Sequence, residues 1–117
     1  MGRIQSKRAT ADTNIVELLP STLTSRRENP CVFAGFVFNA IDPTATIGDG
    51  SGNQIVSIYS DNTGTGTTNL VMRFSLGLTA LTSHFVFDLG DNGILCKSGL
   101  RIECDDWTNL EAFVMYC

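Results

Sequence analysis

Apolar and polar residues alternate along much of this chain with a period of two, the spacing of a strand that buries one face. In SHFVFDL (83–89) Phe85, Phe87 and Leu89 fall on one side and His84, Val86 and Asp88 on the other. NLVMRFSL (69–76) places Leu70, Met72 and Phe74 opposite Val71 and Arg73. GLRIECD (99–105) sets Leu100, Ile102 and Cys104 against Arg101 and Glu103. Further strands are expected at NIVELL (14–19), QIVSIYS (54–60) and ILCKS (94–98). DNTGTGTT (61–68), GDNG (90–93) and DDWTN (105–109) carry turn chemistry, and DPTATIGDGSGN (42–53) is a loop. No helical period persists. Short strands between turns predict an all-β chain, a single antiparallel β-sandwich or jelly-roll-like domain.

Two runs depart from simple alternation. CVFAGFVFNAI (31–41) is apolar almost throughout, which predicts burial on both faces, or on one face with a partner chain against the other. Phe36 and Phe38 are therefore candidate contact residues. LEAFVMYC (110–117) can turn Ala112, Val114 and Tyr116 inward and Phe113 and Met115 outward, so the latter two are candidates for an intersubunit contact.

Composition strengthens the expectation of a contact. A chain of 117 residues makes one domain with one modest core, yet 43% of it is hydrophobic and only 17% charged. That charge fraction is low for a domain that must cover itself, so neighbouring subunits are expected to cover part of it. The net charge of −4 is uneven. Arg3, Lys7, Arg8, Arg26 and Arg27 crowd the first thirty residues, and the remainder is acidic. This predicts a flexible basic N-terminal arm over residues 1–11 ahead of a domain at 12–117, with Arg3, Lys7 and Arg8 as candidate contacts to an acidic surface or a like protomer. An acidic body without a basic-aromatic stripe argues against nucleic acid. No apolar run is long enough for a membrane-spanning helix. No apolar segment follows MGRIQSKRAT, so no secretory leader is expected and thiols are expected reduced.

Candidate chemistry is sparse. His84, the one histidine, shares a strand face with Asp88, an arrangement that an exposed polar face explains. Cys31, Cys96, Cys104 and Cys117 contain no C-x-x-C pair, so no zinc site is expected. The first three suit small core positions, and a Cys96–Cys104 bridge across a hairpin is geometrically conceivable. Asp88, Asp91, Asn92, Asp105 and Asp106 flank turns, where such residues ordinarily cap backbone amides rather than bind calcium. GDGSGNQ (48–54) lacks the lysine and following helix of a phosphate loop. Trp107 is either the closure of one end of a core or an exposed platform. No catalytic residue, metal or cofactor is expected, and the chain is not expected to be an enzyme.

The order VSIYSDNTGTGTTNLVMRFSLG and then HFVFDLGDNGILCKSGLRIECDDWTNLEAFVMYC resembles small β-rich proteins encoded among the virion genes of tailed phages, marine and cyanobacterial phages especially. The matching pieces are Tyr59–Asp61 with Gly64 and Gly66, Phe87–Asp88, Gly93–Leu95, Gly99–Leu100, and the aromatics Phe113 and Tyr116. RATADTNIVELLPS (8–21) is similar to the first strand of such proteins. The resemblance implies a virion structural protein: a capsid decoration (cement) protein that bridges capsid subunits, or a tail, neck or fibre accessory with receptor- or glycan-binding loops at 42–53 and 61–69 and Trp107. It implies the major capsid protein or other virion proteins as partners, a homo-oligomer such as a trimer, and a place on the virion. The candidate interface residues are then Arg3, Lys7, Arg8, Phe36, Phe38, Trp107, Phe113 and Met115.

Overall fold

A computed structural model describes residues 4–16, 30–51, 53–60, 69–77, 84–90 and 92–117. The described residues form nine strands and no helix: β1 (Gln5–Ala9), β2 (Thr13–Val16), β3 (Cys31–Ala40), β4 (Ile55–Tyr59), β5 (Leu70–Ser75), β6 (His84–Asp88), β7 (Ile94–Cys96), β8 (Leu100–Cys104) and β9 (Leu110–Tyr116). The all-β expectation holds. All pairings are antiparallel. One sheet runs β1-β9-β3-β6, with β7 also paired to β3, and the other runs β2-β8-β4-β5.

The pairing is nested. β4 pairs β5, β3 pairs β6, β2 pairs β8 and β1 pairs β9, so the pairs nest around β4 and β5 as the layers of one folded hairpin would; the DNTGTGTT turn expected at 61–68 lies outside the described residues. Ladders β3·β9 and β4·β8 then join the layers into two sheets. ILCKS and GLRIECD do not form a hairpin with each other, because β7 lies in one sheet and β8 in the other.

Phenylalanine fills much of the space between the sheets. Phe36 of β3 stacks on Phe74 of β5 at 5.2 Å between ring centroids, and Phe74 stacks on Phe85 of β6 at 5.3 Å. Val56, Ile58, Leu100 and Ile102 from the second sheet complete the centre, all fully buried. Burying one such side chain stabilises by about 1.5–3 kcal/mol, so this layer is the main attraction between the sheets.

The apolar run of β3 has a structural cause. Its register against β9 shifts between Phe33 and Gly35, so the alternation changes phase and Phe33, Phe36 and Phe38 all face inward. Gly35 sits at φ 140°, and a methyl there would overlap the Phe87 carbonyl. Phe36 and Phe38, expected as contacts, are 0% exposed, so that expectation is corrected: both rings fill the core, and the alternation changes phase along the run. Its outward residues Val32, Val37 and Asn39 are half-buried.

The expectation of a flexible basic arm is also corrected. Gln5–Ala9 pairs residue for residue with Tyr116 down to Ala112, and Ala9 is buried in the core. The segment reads as charged because four of its five positions are exposed, which is what an edge strand shows. Arg3 lies outside the described residues.

Candidate functional site

The outward face of the five-stranded sheet is the most distinctive surface among the described residues. Cross-strand register places Val86, Val37, Phe113 and Arg8 in one row across β6, β3, β9 and β1. In the next row Met115 stands between Gly35 and Ser6. Beyond the bulge Val32 is opposite Leu95. Val86 is 54% exposed and Leu95 59%, while Phe113 and Met115 are half-buried by their strand neighbours. The result is an apolar stripe across a sheet that already has a core on its other side. Phe113 and Met115 point outward as expected.

Charge borders the stripe. Arg8 Nε lies 2.7 Å from Glu111 Oε2 at the β1–β9 rim. Lys7 turns to the other side of β1, where its ammonium donates to the Asn14 carbonyl at 3.1 Å. Both cations are exposed, but each has a local partner.

Trp107 belongs to the core's end. Its ring stacks on Phe38 at 6.2 Å and its Nε1–H donates to Asp12 Oδ1 at 2.8 Å. The same Asp12 oxygen accepts the Cys104 amide at 3.0 Å, so this carboxylate joins the turn after β8 to the β1–β2 connection. Nothing in the sequence pattern marks Asp12, because its partners lie more than ninety residues away.

The described aspartates among the polar candidates are engaged in holding backbone. Asp88 Oδ1 accepts the Gly90 amide at 2.7 Å, while His84 is exposed opposite Asn39. Asp105 Oδ1 accepts the Ile55 amide and Asp106 Oδ1 the Thr108 amide. Asp91 lies outside the described residues. Asp42 and Asp49 cap the 42–53 loop, and both carboxyls are held below the usual carboxylate range by the hydroxyls and amides of Thr44 and Ser51 respectively. Among the described residues no three of His, Cys, Asp or Glu gather in a metal-holding group.

An open cleft of about 360 Å³ on the outer side of the four-stranded sheet is lined by Asp12, Ser57, Arg73, Glu103 and Asp105. Its groups are also spoken for. Arg73 donates to Ser57 Oγ at 3.0 Å and to the Tyr59 hydroxyl at 3.2 Å, and Glu103 pairs with Arg101 at 2.6 Å. Arg101 in turn lies 4.2 Å over the Tyr59 ring.

The cysteines separate into two environments. Cys104 is buried in the four-stranded sheet, and burial pushes its thiol from 9.0 up to about 11. Cys96 and Cys104 lie on strands of different sheets and are not bridged to each other; the cross-strand partner of Cys96 is Cys31. The Cys31 thiol hydrogen-bonds to Cys96, which raises Cys31 and lowers Cys96, and the Ser60 hydroxyl lowers Cys96 further. Cys31 and Cys117 line a second open cleft, of about 390 Å³.

In comparisons with known proteins, no family model, no curated protein and no solved structure matches this chain.

Proposed function

We propose that this chain is a non-enzymatic structural subunit of a phage virion, a capsid decoration protein that docks through the outward face of β1, β9, β3 and β6. The observation that carries this reading is the apolar stripe of Val86, Val37, Phe113, Met115 and Leu95 on a sheet whose other face is already filled. An apolar face of this kind is what an interface core requires, with Arg8 and Glu111 as its polar rim. The resemblance to virion proteins supplies the class of partner, the major capsid protein. The nested strand order supports the same class. With β7 set aside, the orders β1-β9-β3-β6 and β2-β8-β4-β5 support reading the two sheets as an eight-stranded jelly roll, an architecture used by viral capsid proteins and also by lectins and cupins.

The site chemistry supports contact over catalysis. His84 and Asp88 form no pair, and Ser57, Arg73 and Glu103 of the cleft on the four-stranded sheet are committed to local bonds. A decoration protein gains retention by repetition, because several weak contacts tethered in one oligomer hold far better than one. Trimers set between capsid subunits fit that requirement. Electron microscopy of the virion that carries this chain tests the proposal. The expected map shows the chain on the capsid exterior with the β1-β9-β3-β6 face against the shell or a sister subunit. A tail location, or that face turned to solvent, overturns it.

A further inference from the structure

We infer that Cys31 and Cys96 form an oxidisable dithiol, a thiol–disulfide exchange site that takes a small disulfide of the glutathione kind and closes into a cross-strand bridge. Three observations point there. The two residues are directly opposite in the β3–β7 ladder, and opposed residues of an antiparallel pair have Cα atoms about 4.5–5.5 Å apart, inside the range a disulfide spans. Both are on the core side, Cys96 fully enclosed and Cys31 7% exposed. Cys31 also lines the open cleft beside Pro30 and Cys117, which gives a small disulfide an approach to one sulfur of the pair.

The thiols' hydrogen bond adds a chemical reason. That bond raises the Cys31 thiol and lowers Cys96, so Cys96 is the better thiolate and suits the second, resolving attack, while Cys31 reacts first because it is the one that lines the cleft. Cys31 attacks R–S–S–R; the S–S bond breaks, one R–S⁻ leaves, and a mixed disulfide stands on Cys31. Cys96 then attacks the Cys31 sulfur and expels the second R–S⁻. Two protein thiols are oxidised, one small disulfide is reduced to two thiols, and the two protons end on the leaving groups. Cys104 takes no part: it sits in the other sheet with its S–H directed to the Asp106 carbonyl at 3.5 Å.

The structural consequence falls on β7. This strand has three residues and pairs only with β3 among the described residues, so a bridge at Cys96 would pin its end. The inference stands apart from the docking proposal, since it concerns the chain alone.

The test is incubation of the purified full chain across a series of reduced-to-oxidised glutathione ratios, followed by alkylation and peptide mass spectrometry. The expected product has lost two hydrogens, carries a Cys31–Cys96 cross-link, and leaves Cys104 free. Its Tm should be about 5 °C or more above that of the reduced chain, with dithiothreitol reversing the shift. Cys96→Ser should instead stop at a glutathione adduct on Cys31, and Cys117→Ala should leave the cross-link unchanged. Glutathione found on Cys117 alone, a Cys31–Cys117 link, or no link under oxidising ratios overturns the inference. Peptide mapping of the unaltered chain decides the matter even if the serine variant fails to fold.

Discussion

At the scale of single residues, burial and partner distance separate the side chains that hold the fold from those that face outward. Phe36 contacts aromatic rings from three strands and is fully buried, so Phe36→Ala should cost about 3–5 kcal/mol in denaturant unfolding. Asp12 is smaller in area but bonds two donors at once. Asp12→Ala leaves the Trp107 and Cys104 N–H groups without their acceptor, an expected loss of about 1–3 kcal/mol. The near-ultraviolet circular dichroism of Trp107 should change with it, and Asp12→Asn, which keeps an oxygen, should recover part of both.

Titration gives a second test at this scale. The Asp42 and Asp49 carboxyls lie below their ordinary range in the folded chain, so their contribution is present above the unfolded carboxylate range and lost as pH falls through the folded values. Acid should therefore loosen the 42–53 loop, and Asp42→Asn should flatten that part of the stability–pH curve. Cys104 acts in the opposite direction: its raised pKa favours the fold below about 9, and that contribution fades as pH rises toward about 11. At neutral pH it should resist thiol reagents until the chain unfolds.

At the scale of elements, eight of the nine described strands are legible in the sequence, because each carries an alternation or an apolar run bounded by turn residues. The glycine that opens GDNG is legible for the same reason, with Gly90 at φ 60° and its amide held by Asp88. Three features are not. The bulge at Phe33–Gly35 is a change of phase inside an apolar run, indistinguishable from two-sided burial without the partner strand. β1 is hidden because an exposed edge strand has the composition of a loose tail. The separation of β7 from β8 is decided by which sheet each joins, information that lies in residues far away in the chain. The edge position of β1 yields its own prediction. Removing residues 1–9 uncovers β9's backbone and the pocket of Ala9, so the truncated chain should melt lower and aggregate, measured by scanning calorimetry and light scattering. A flexible arm would be removable without loss of Tm.

At the scale of the whole molecule, the chain is a flat body of 48 × 29 × 20 Å, and among the described residues an apolar stripe crosses the outer face of its five-stranded sheet. A flat slab with such a face is suited to lie on a larger surface, and the low charge fraction of 17% fits a subunit that meets its neighbours over a broad area. The face itself was partly legible: Phe113 and Met115 follow from the two-sided apolar strand, while Val37, Val86 and Leu95 join them only through register across four strands. The claim on which the functional account depends is that this face, rather than a cleft, is where the molecule works. The direct measurement is titration of particles lacking this chain with the unaltered protein and with a Val86→Asp, Phe113→Asp double variant, after equal Tm values and circular dichroism have established that both are folded. Two charges placed in the stripe should lower the affinity at least about tenfold. A folded double variant that saturates the particles as tightly as the unaltered chain would contradict the account.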